Sequence, residues 1–141
     1  MINENLLKID ENKEKLLLEK YANFYVIFDY WLKLIENGKS VSDFFKKKKY
    51  EKIVIYGMAS LGKHLKVQLE QHDNIEILYT IERENIDYQN QYYLLKEDIK
   101  KLPKPDVIIV TPVMEYESIT EKLQELIECP IISIEEVILS I

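Results

Sequence analysis

The sequence predicts an α/β fold: a short parallel sheet of about five strands with an N-terminal helical appendage. Three observations carry that prediction. Short apolar runs alternate with helical patterns over residues 51–141, and this alternation implies a parallel sheet joined by right-handed crossovers. Residues 1–50 read as helical throughout. Three of the five glycine and alanine residues in the chain fall in one window, Gly57-Met58-Ala59-Ser60-Leu61-Gly62, between a strand pattern and a helix pattern.

Length and composition set the frame. The 141 residues are one domain's worth of chain. With 47% hydrophobic and 31% charged residues, there is enough apolar mass to offset the entropy of folding, which excludes a disordered chain. A single cysteine excludes an intrachain disulfide scaffold and a cysteine-based zinc site. The net charge of −6 argues against nucleic acid as a partner. Met1-Ile2-Asn3-Glu4-Asn5 lacks the basic start and apolar core of an export signal. The most apolar stretch, Leu16 to Ile35, contains Glu19, Lys20, Asn23, Asp29 and Lys33, so no membrane span is expected. Together with the lone thiol, these features point to a cytoplasmic location.

Charge divides the chain. Residues 1–50 carry ten lysines and eight acids, a net of +2, and residues 51–141 carry nine basic groups and 17 acids, a net of −8. No Gly/Ser/Pro-rich linker separates them. Residues 1–50 are therefore expected to pack on a core domain formed by 51–141.

The first helix is expected from about Asn12 to Asn37, stopped by Gly38. Leu17, Tyr21, Phe24, Phe28, Trp31 and Ile35 recur at spacings of three and four and share one face. The segment from Tyr21 to Leu32 is apolar over more than one face. A second apolar face left in water would be an unusually large patch. The helix is thus expected to touch its own domain and a partner, most simply a second copy, giving a homodimer through residues 12–37. The alternative is that the following short helix covers the second face. That helix is expected from Ser40, where Ser40 and Asp43 have capping-box spacing. Lys46-Lys47-Lys48-Lys49 falls at its C-terminus, where positive charge suits the dipole.

Five strands are expected: Lys52–Tyr56, Ile75–Ile81, Tyr92–Leu95, Asp106–Thr111 and Pro130–Ile132. Intervening helices begin at the Gly-Ala window, run for a turn or two near Glu97–Lys101, and extend from about Glu115 to Ile127. Ser133 and Glu136 mark a capping box before the last one. A strand order of 3-2-1-4-5 follows for a shortened Rossmann-like unit. Ligands of such sheets sit outside the C-terminal strand ends at the switch point, here between the first and fourth strands.

The Gly-Ala window carries the ligand expectation. Gly57 turns the chain off the strand, Ala59 leaves room for a phosphate at backbone N–H groups, and Gly62 lets the helix pack close. The helix N-terminus then faces an anion. The spacing is G-x-A-x-x-G. Glu82 ends the next strand 20 residues after Gly62, where a carboxylate accepts hydrogen bonds from ribose hydroxyls in dinucleotide sites. Arg83, the only arginine, is placed to meet a further phosphate; an ordinary charged turn is the alternative for this pair. Gly57 to Lys63 also spells the first seven positions of a P-loop, but His64 stands where magnesium needs Ser or Thr. Lys63 remains available to neutralise a phosphate. Thr111 and Pro112 come beside the turn, where Thr111 offers a hydroxyl to a ligand or caps the following helix. The expected binding residues are thus 57–63, Glu82, Arg83, Thr111 and Pro112. No catalytic or metal constellation emerges: His64, His72 and Cys129 lie in different elements.

The run Ile53–Gly62, with Tyr79-Thr80-Ile81-Glu82 and Val107–Pro112, resembles small Rossmann-like domains associated with bacterial surface-polysaccharide biosynthesis. Some of these stand alone; others are similar to the C-terminal domain of sugar C-methyltransferases or begin sugar acyltransferases. The resemblance covers roughly residues 50–135. It implies binding of a nucleotide or nucleotide-sugar, or retention of the fold without that ability. The family pattern has Gly and Asp where this chain has Ala59 and Glu82.

Three functions follow as expectations. The first is a non-catalytic accessory module that binds a nucleotide-sugar or NAD(P)-type ligand. The second is an interaction protein with a vestigial site that dimerises through the long helix. The third, a nicotinamide-dependent enzyme, needs a substrate domain supplied by a partner. An open crevice at the turn favours the first; Met58 or Lys63 filling it favours the second.

Overall fold

A computed structural model describes residues 4–141; the export-signal reading of Met1, Ile2 and Asn3 lies outside them. The elements in order are α1 (Glu4–Glu36), α2 (Ser42–Lys48), β1 (Lys52–Tyr56), α3 (Ser60–Glu70), β2 (Glu76–Glu82), β3 (Asn85–Tyr88), β4 (Gln91–Leu94), α4 (Leu95–Asp98), β5 (Val107–Val110), α5 (Tyr116–Leu126), β6 (Ile131–Ser133) and α6 (Ile134–Leu139). Single 3-10 turns, Ile99–Lys101 and Val113–Glu115, follow α4 and precede α5.

The fold is α/β, with a six-stranded sheet in the order β4-β3-β2-β1-β5-β6. Strands β2, β1, β5 and β6 pair in parallel. The expected five-strand order 3-2-1-4-5 is corrected at one edge. An additional strand, β3, pairs antiparallel with both β2 and β4. The reason is connection length. Nine residues separate Glu82 from Tyr92, and a parallel crossover takes a dozen or more. Two tight hairpins form instead. Arg83 turns the first at φ 57°; Gln89 and Asn90, at 52° and 63°, turn the second with both residues left-handed, as a type I′ turn requires. Leu95, expected to close a strand, opens α4 and is fully buried.

Each central strand feeds two cores. Ile53, Ile55, Val107 and Ile109 point to one face, and Val54, Tyr56, Ile108 and Val110 to the other. All four residues of β5 are buried, as a central parallel strand requires. The connections β1-α3-β2 and β5-α5-β6 leave the sheet centre in opposite directions, so crossovers of one hand place α3 and α5 on opposite faces. Leu61, Leu65 and Leu69 of α3 join α1, α2 and α6 on the first face; Ile119 and Leu123 of α5 join the second.

Helix α1 spans 33 residues, about 50 Å at 1.5 Å per residue. Among the described residues, those of α1 that pack on the sheet lie in its C-terminal half. Ile27, Trp31 and Leu34 are buried, and Phe24 and Phe28 are half-buried against the same core. The expected inner face is corrected: Leu17, Tyr21 and Ile35 are exposed. The strict 17-21-24-28-31-35 spacing has a 3.5-residue period, and a straight helix drifts from it by about 20° per heptad. The docked stripe therefore rotates onto Ile27 and Leu34. Helix α2 buries Phe44 and Phe45 in this core but leaves Tyr25 and Leu32 uncovered, so it does not cover the second face of α1.

Local signals act as the residue types dictate. Gly38 ends α1 at φ 75°. The Ser40 amide donates to Asp43 Oδ2 at 3.2 Å and Ser40 Oγ accepts from the Ser42 amide at 3.2 Å, although the helix body begins at Ser42. Ser133 Oγ accepts from the Glu135 amide at 3.0 Å. Asp106 Oδ2 accepts from the amides of Glu51 and Lys52 at 2.8 and 2.9 Å, clamping the entry to β1 against β5. These two bonds hold the Asp106 carboxyl below its ordinary 3.8. A depressed folded-state value contributes stability above the ordinary pKa, which is lost as pH falls through the folded value. Asp106→Asn is expected to cost about 1 kcal/mol at neutral pH, solvent screening keeping it at the low end for charged hydrogen bonds. The gap from the native protein should close as pH drops below 3.8. Urea titrations at neutral and acidic pH measure it; a gap that widens in acid contradicts the clamp.

Candidate functional site

The site is built where β1 and β5 end. Gly57 leaves β1 at φ 93°, and its amide donates to Ile81 O at 2.8 Å. A Cβ on Gly57 would stand 2.5 Å from Thr111 Oγ1 and 2.6 Å from Pro112 Cδ, so both the dihedral and the space require glycine. A Cβ on Gly62 would stand 1.9 Å from the Gly57 carbonyl oxygen. The first turn of α3 is thus pressed directly on the backbone of the turn.

Thr111 is 3% exposed. Its hydroxyl lies 2.8 Å from Gly57 O and 3.1 Å from Tyr56 O, and its amide donates to Tyr56 O at 3.0 Å. The hydroxyl proton thus stays within the protein and joins the ends of β1 and β5, and no helix cap is made with it. Pro112 ends β5 beside it.

Ala59 is the N-cap of α3, with extended backbone and no side-chain cap. The amides that open α3 have no partner within the helix by geometry, and they carry the positive end of its dipole. Leu61 is buried beneath them and Ser60 is exposed. The Met58 amide is already engaged: it donates to Glu82 Oε2 at 2.7 Å. The Glu82 carboxylate, expected to face ribose hydroxyls, thus accepts from the backbone of the turn, and one of its oxygens is occupied. Arg83 sits at the hairpin turn, exposed, its carbonyl 3.4 Å from the Tyr56 hydroxyl. Tyr56 is nearly buried, and burial pushes its phenol up. Met58 packs against the core with its sulfur toward Gly62. Lys63 is exposed, and His64 sets its ring edge-on to Phe28 at 5.6 Å.

A cleft of about 400 Å³ opens over this junction. Ala59, Leu61, Thr111 and Pro112 form its floor, and the 3-10 turn Val113-Met114-Glu115 forms one wall. The opposite wall is α1, whose free part contributes Leu16, Leu17 and Lys20 and whose docked part contributes Phe24. Of the expected residues, four line the cleft. Gly57 and Gly62 shape it from behind, while Met58, Ser60, Lys63, Glu82 and Arg83 lie outside its lining. Sequence reasoning missed the α1 wall and the Val113–Glu115 turn. The apolar triplet Leu16-Leu17-Leu18 and the pair Val113-Met114 just after a strand-ending proline were the available signals.

The cleft's chemistry is that of an apolar slot with two charges, Lys20 and Glu115. It holds no histidine and no thiol. Cys129 lies elsewhere, and burial raises its thiol to about 11, which keeps it protonated at neutral pH. Among the described residues no group of three or more metal-ligating side chains occurs, and no helix is long and apolar enough to cross a membrane. No family model, curated protein or solved structure matches the chain.

Proposed function

We propose that the protein is a non-catalytic binding module for a nucleotide-type ligand, most simply a nucleotide-sugar, serving as an accessory component of glycan biosynthesis. The observation that carries this reading is the open cleft at the junction of Ala59 with Thr111 and Pro112. Neither Met58 nor Lys63 fills it, and the uncapped N-terminus of α3 borders it. The location agrees with the general rule that ligands of open α/β sheets bind beyond the carboxyl ends of the strands where the order reverses. In this reading the parallel core is a Rossmann-like unit. The α3 amides hold a phosphate and Lys20 neutralises it from above. The apolar walls take the flat face of a base or sugar. A ribose that extends out of the cleft past the turn finds the free oxygen of Glu82 as an acceptor.

A thermal-shift screen with nucleotide-sugars, NAD(H), NADP(H), ATP and coenzyme A tests it. A ligand at 100 times its dissociation constant adds about 2.7 kcal/mol to stability. One ligand class is expected to raise the transition. Ala59→Asp is expected to abolish that response, because it places a carboxylate where the phosphate would sit. Ala59→Ser supplies the missing cap without charge and should raise stability by about 1 kcal/mol. No shift from any of these ligands at millimolar concentration removes them as candidates and leaves an interaction protein whose site is vestigial.

A further inference from the structure

From Asp10 to Asn23, α1 has almost nothing of its own domain to pack on. Every residue from Asp10 to Asn23 is exposed, and a helical arm of this length is marginal in water by itself. Beside Leu16, Leu17, Val26 and Tyr30, the other large apolar residues left uncovered along the helix fall in a regular pattern. Leu18, Tyr25 and Leu32 recur every seven residues, and Tyr21, Phe28 and Ile35 recur every seven between them. These are the a and d positions of a coiled-coil seam. Leu18 is 70% exposed, Tyr21 62%, Tyr25 72% and Leu32 55%. Phe28 is half-buried at the centre. The seam lies on a different face from Ile27, Trp31 and Leu34, which hold the helix to its sheet.

We propose that this seam docks a second copy of the chain in antiparallel orientation, with the two-fold axis beside Val26 and Ile27. Charge decides the orientation. The e positions are Lys15, Ala22, Asp29 and Glu36, and the g positions are Leu17, Phe24 and Trp31. Antiparallel helices set e against e. With Leu18 against the partner's Ile35, Tyr21 meets the partner's Leu32 and Tyr25 meets the partner's Phe28. In that register Lys15 faces the partner's Glu36, and symmetry repeats the pair at the other end. Ala22, with its small side chain, faces the partner's Asp29. Parallel helices set e against g and would place Asp29 and Glu36 on Phe24 and Trp31. The area is sufficient: a seam of two tyrosines and three aliphatic residues buries on the order of 500 Å² per chain, reaching the roughly 1,000 Å² in total that a specific interface needs. The inference is independent of what the cleft binds.

Sedimentation equilibrium of the full chain tests it, at concentrations from about 1 to about 100 μM. The expected mass is twice 16.8 kDa. Tyr25→Lys and Leu18→Lys each bring it to the monomer value, with unchanged circular dichroism because neither side chain supports its own domain. Lys15→Glu weakens the dimer about tenfold and so does Glu36→Lys. The two together restore it, since the carboxylate introduced at position 15 meets the ammonium introduced at position 36 of the other chain only in the antiparallel register. In a Cys129→Ser background, Leu18→Cys with Ile35→Cys yields a link between positions 18 and 35 of different chains. A chain that stays monomeric at the highest concentration overturns the proposal and leaves the face to a different partner. A dimer that survives both lysine variants overturns the assignment of the face. A link of position 18 to itself, or failure of the charge swap to restore association, overturns the antiparallel register.

Discussion

Gly62→Ala is expected to destabilise the protein by about 3 kcal/mol or more, reversing the usual gain for this substitution inside a helix. An alanine replacing a helical glycine normally adds about 0.5–1 kcal/mol by reducing the freedom of the unfolded chain. Here the new methyl would lie 1.9 Å from the carbonyl oxygen of Gly57. That neighbour is backbone and has no rotamer to move into. The Gly57 carbonyl is held by the Thr111 hydroxyl at 2.8 Å, and the Gly57 amide is held by Ile81 O at 2.8 Å. Relief therefore requires α3 to lift from the turn, which opens the contacts of Leu61 and Leu65 with the core. Overpacking of this kind costs typically 1–3 kcal/mol and more where backbone must shift. Gly38→Ala provides the comparison. Gly38, unlike the helical Gly62, has a positive φ, 75°, but nothing lies within 4 Å of its would-be Cβ, so only the dihedral strain of about 1 kcal/mol remains. Urea denaturation of the two variants measures both. A Gly62→Ala protein as stable as the native one would mean that α3 does not rest on the turn.

What the sequence revealed and what it hid divide along physical lines. The turn at 57–62 was legible because small residues are scarce in this chain, and three of them sit between a β-branched run and a helical period. Close backbone approach is what that pattern encodes, and the distances at Gly57 and Gly62 are its counterpart. The pairing of β2, β1, β5 and β6 was legible because strand and helix alternate at lengths that permit parallel crossovers. Strand β3 was hidden because Asn85-Ile86-Asp87-Tyr88 buries only Ile86 fully and reads as polar loop; connection length was the better guide there. The partners of Glu82 and Thr111 were hidden for a different reason. A carboxylate 24 residues from the Met58 amide and a hydroxyl 54 residues from the Gly57 carbonyl meet only through the sheet. No local pattern distinguishes a side chain free for a ligand from one already satisfied by backbone. The docked face of α1 was misplaced because two apolar stripes share one helix, and periodicity alone does not say which of them meets the sheet.

Trp31→Ala is expected to cost about 4 kcal/mol, within the range for deleting a buried aromatic side chain, and so a large fraction of a typical total stability of about 5–15 kcal/mol. Trp31 is 4% exposed and is the broadest side chain by which α1 enters the core. Ile27 and Leu34 flank it one turn away on each side, so the cavity falls in the middle of the docked stripe, where collapse is hardest. The effect should reach the cleft. The wall made by Leu16, Leu17, Lys20 and Phe24 stands on the same helix, and among the described residues only the half-buried Phe24 anchors it to the core once the stripe loosens. Any ligand that depends on that wall should bind more weakly in Trp31→Ala. Trp31→Phe separates packing from polarity. It keeps an aromatic ring and removes the indole N–H, a buried donor that no acceptor among the described residues reaches. An unpaired buried donor costs about 1–3 kcal/mol, which offsets the lost volume, so Trp31→Phe should lie within about 1 kcal/mol of the native protein. Because Trp31 is the only tryptophan, its emission in the native protein reports docking directly and should shift to the red as α1 leaves the sheet. Equal losses in the two variants would mean that the full indole, and not merely an aromatic ring of phenyl size, is needed to hold the helix. A loss below about 1 kcal/mol in Trp31→Ala would place the anchor of α1 elsewhere, and the cleft wall with it.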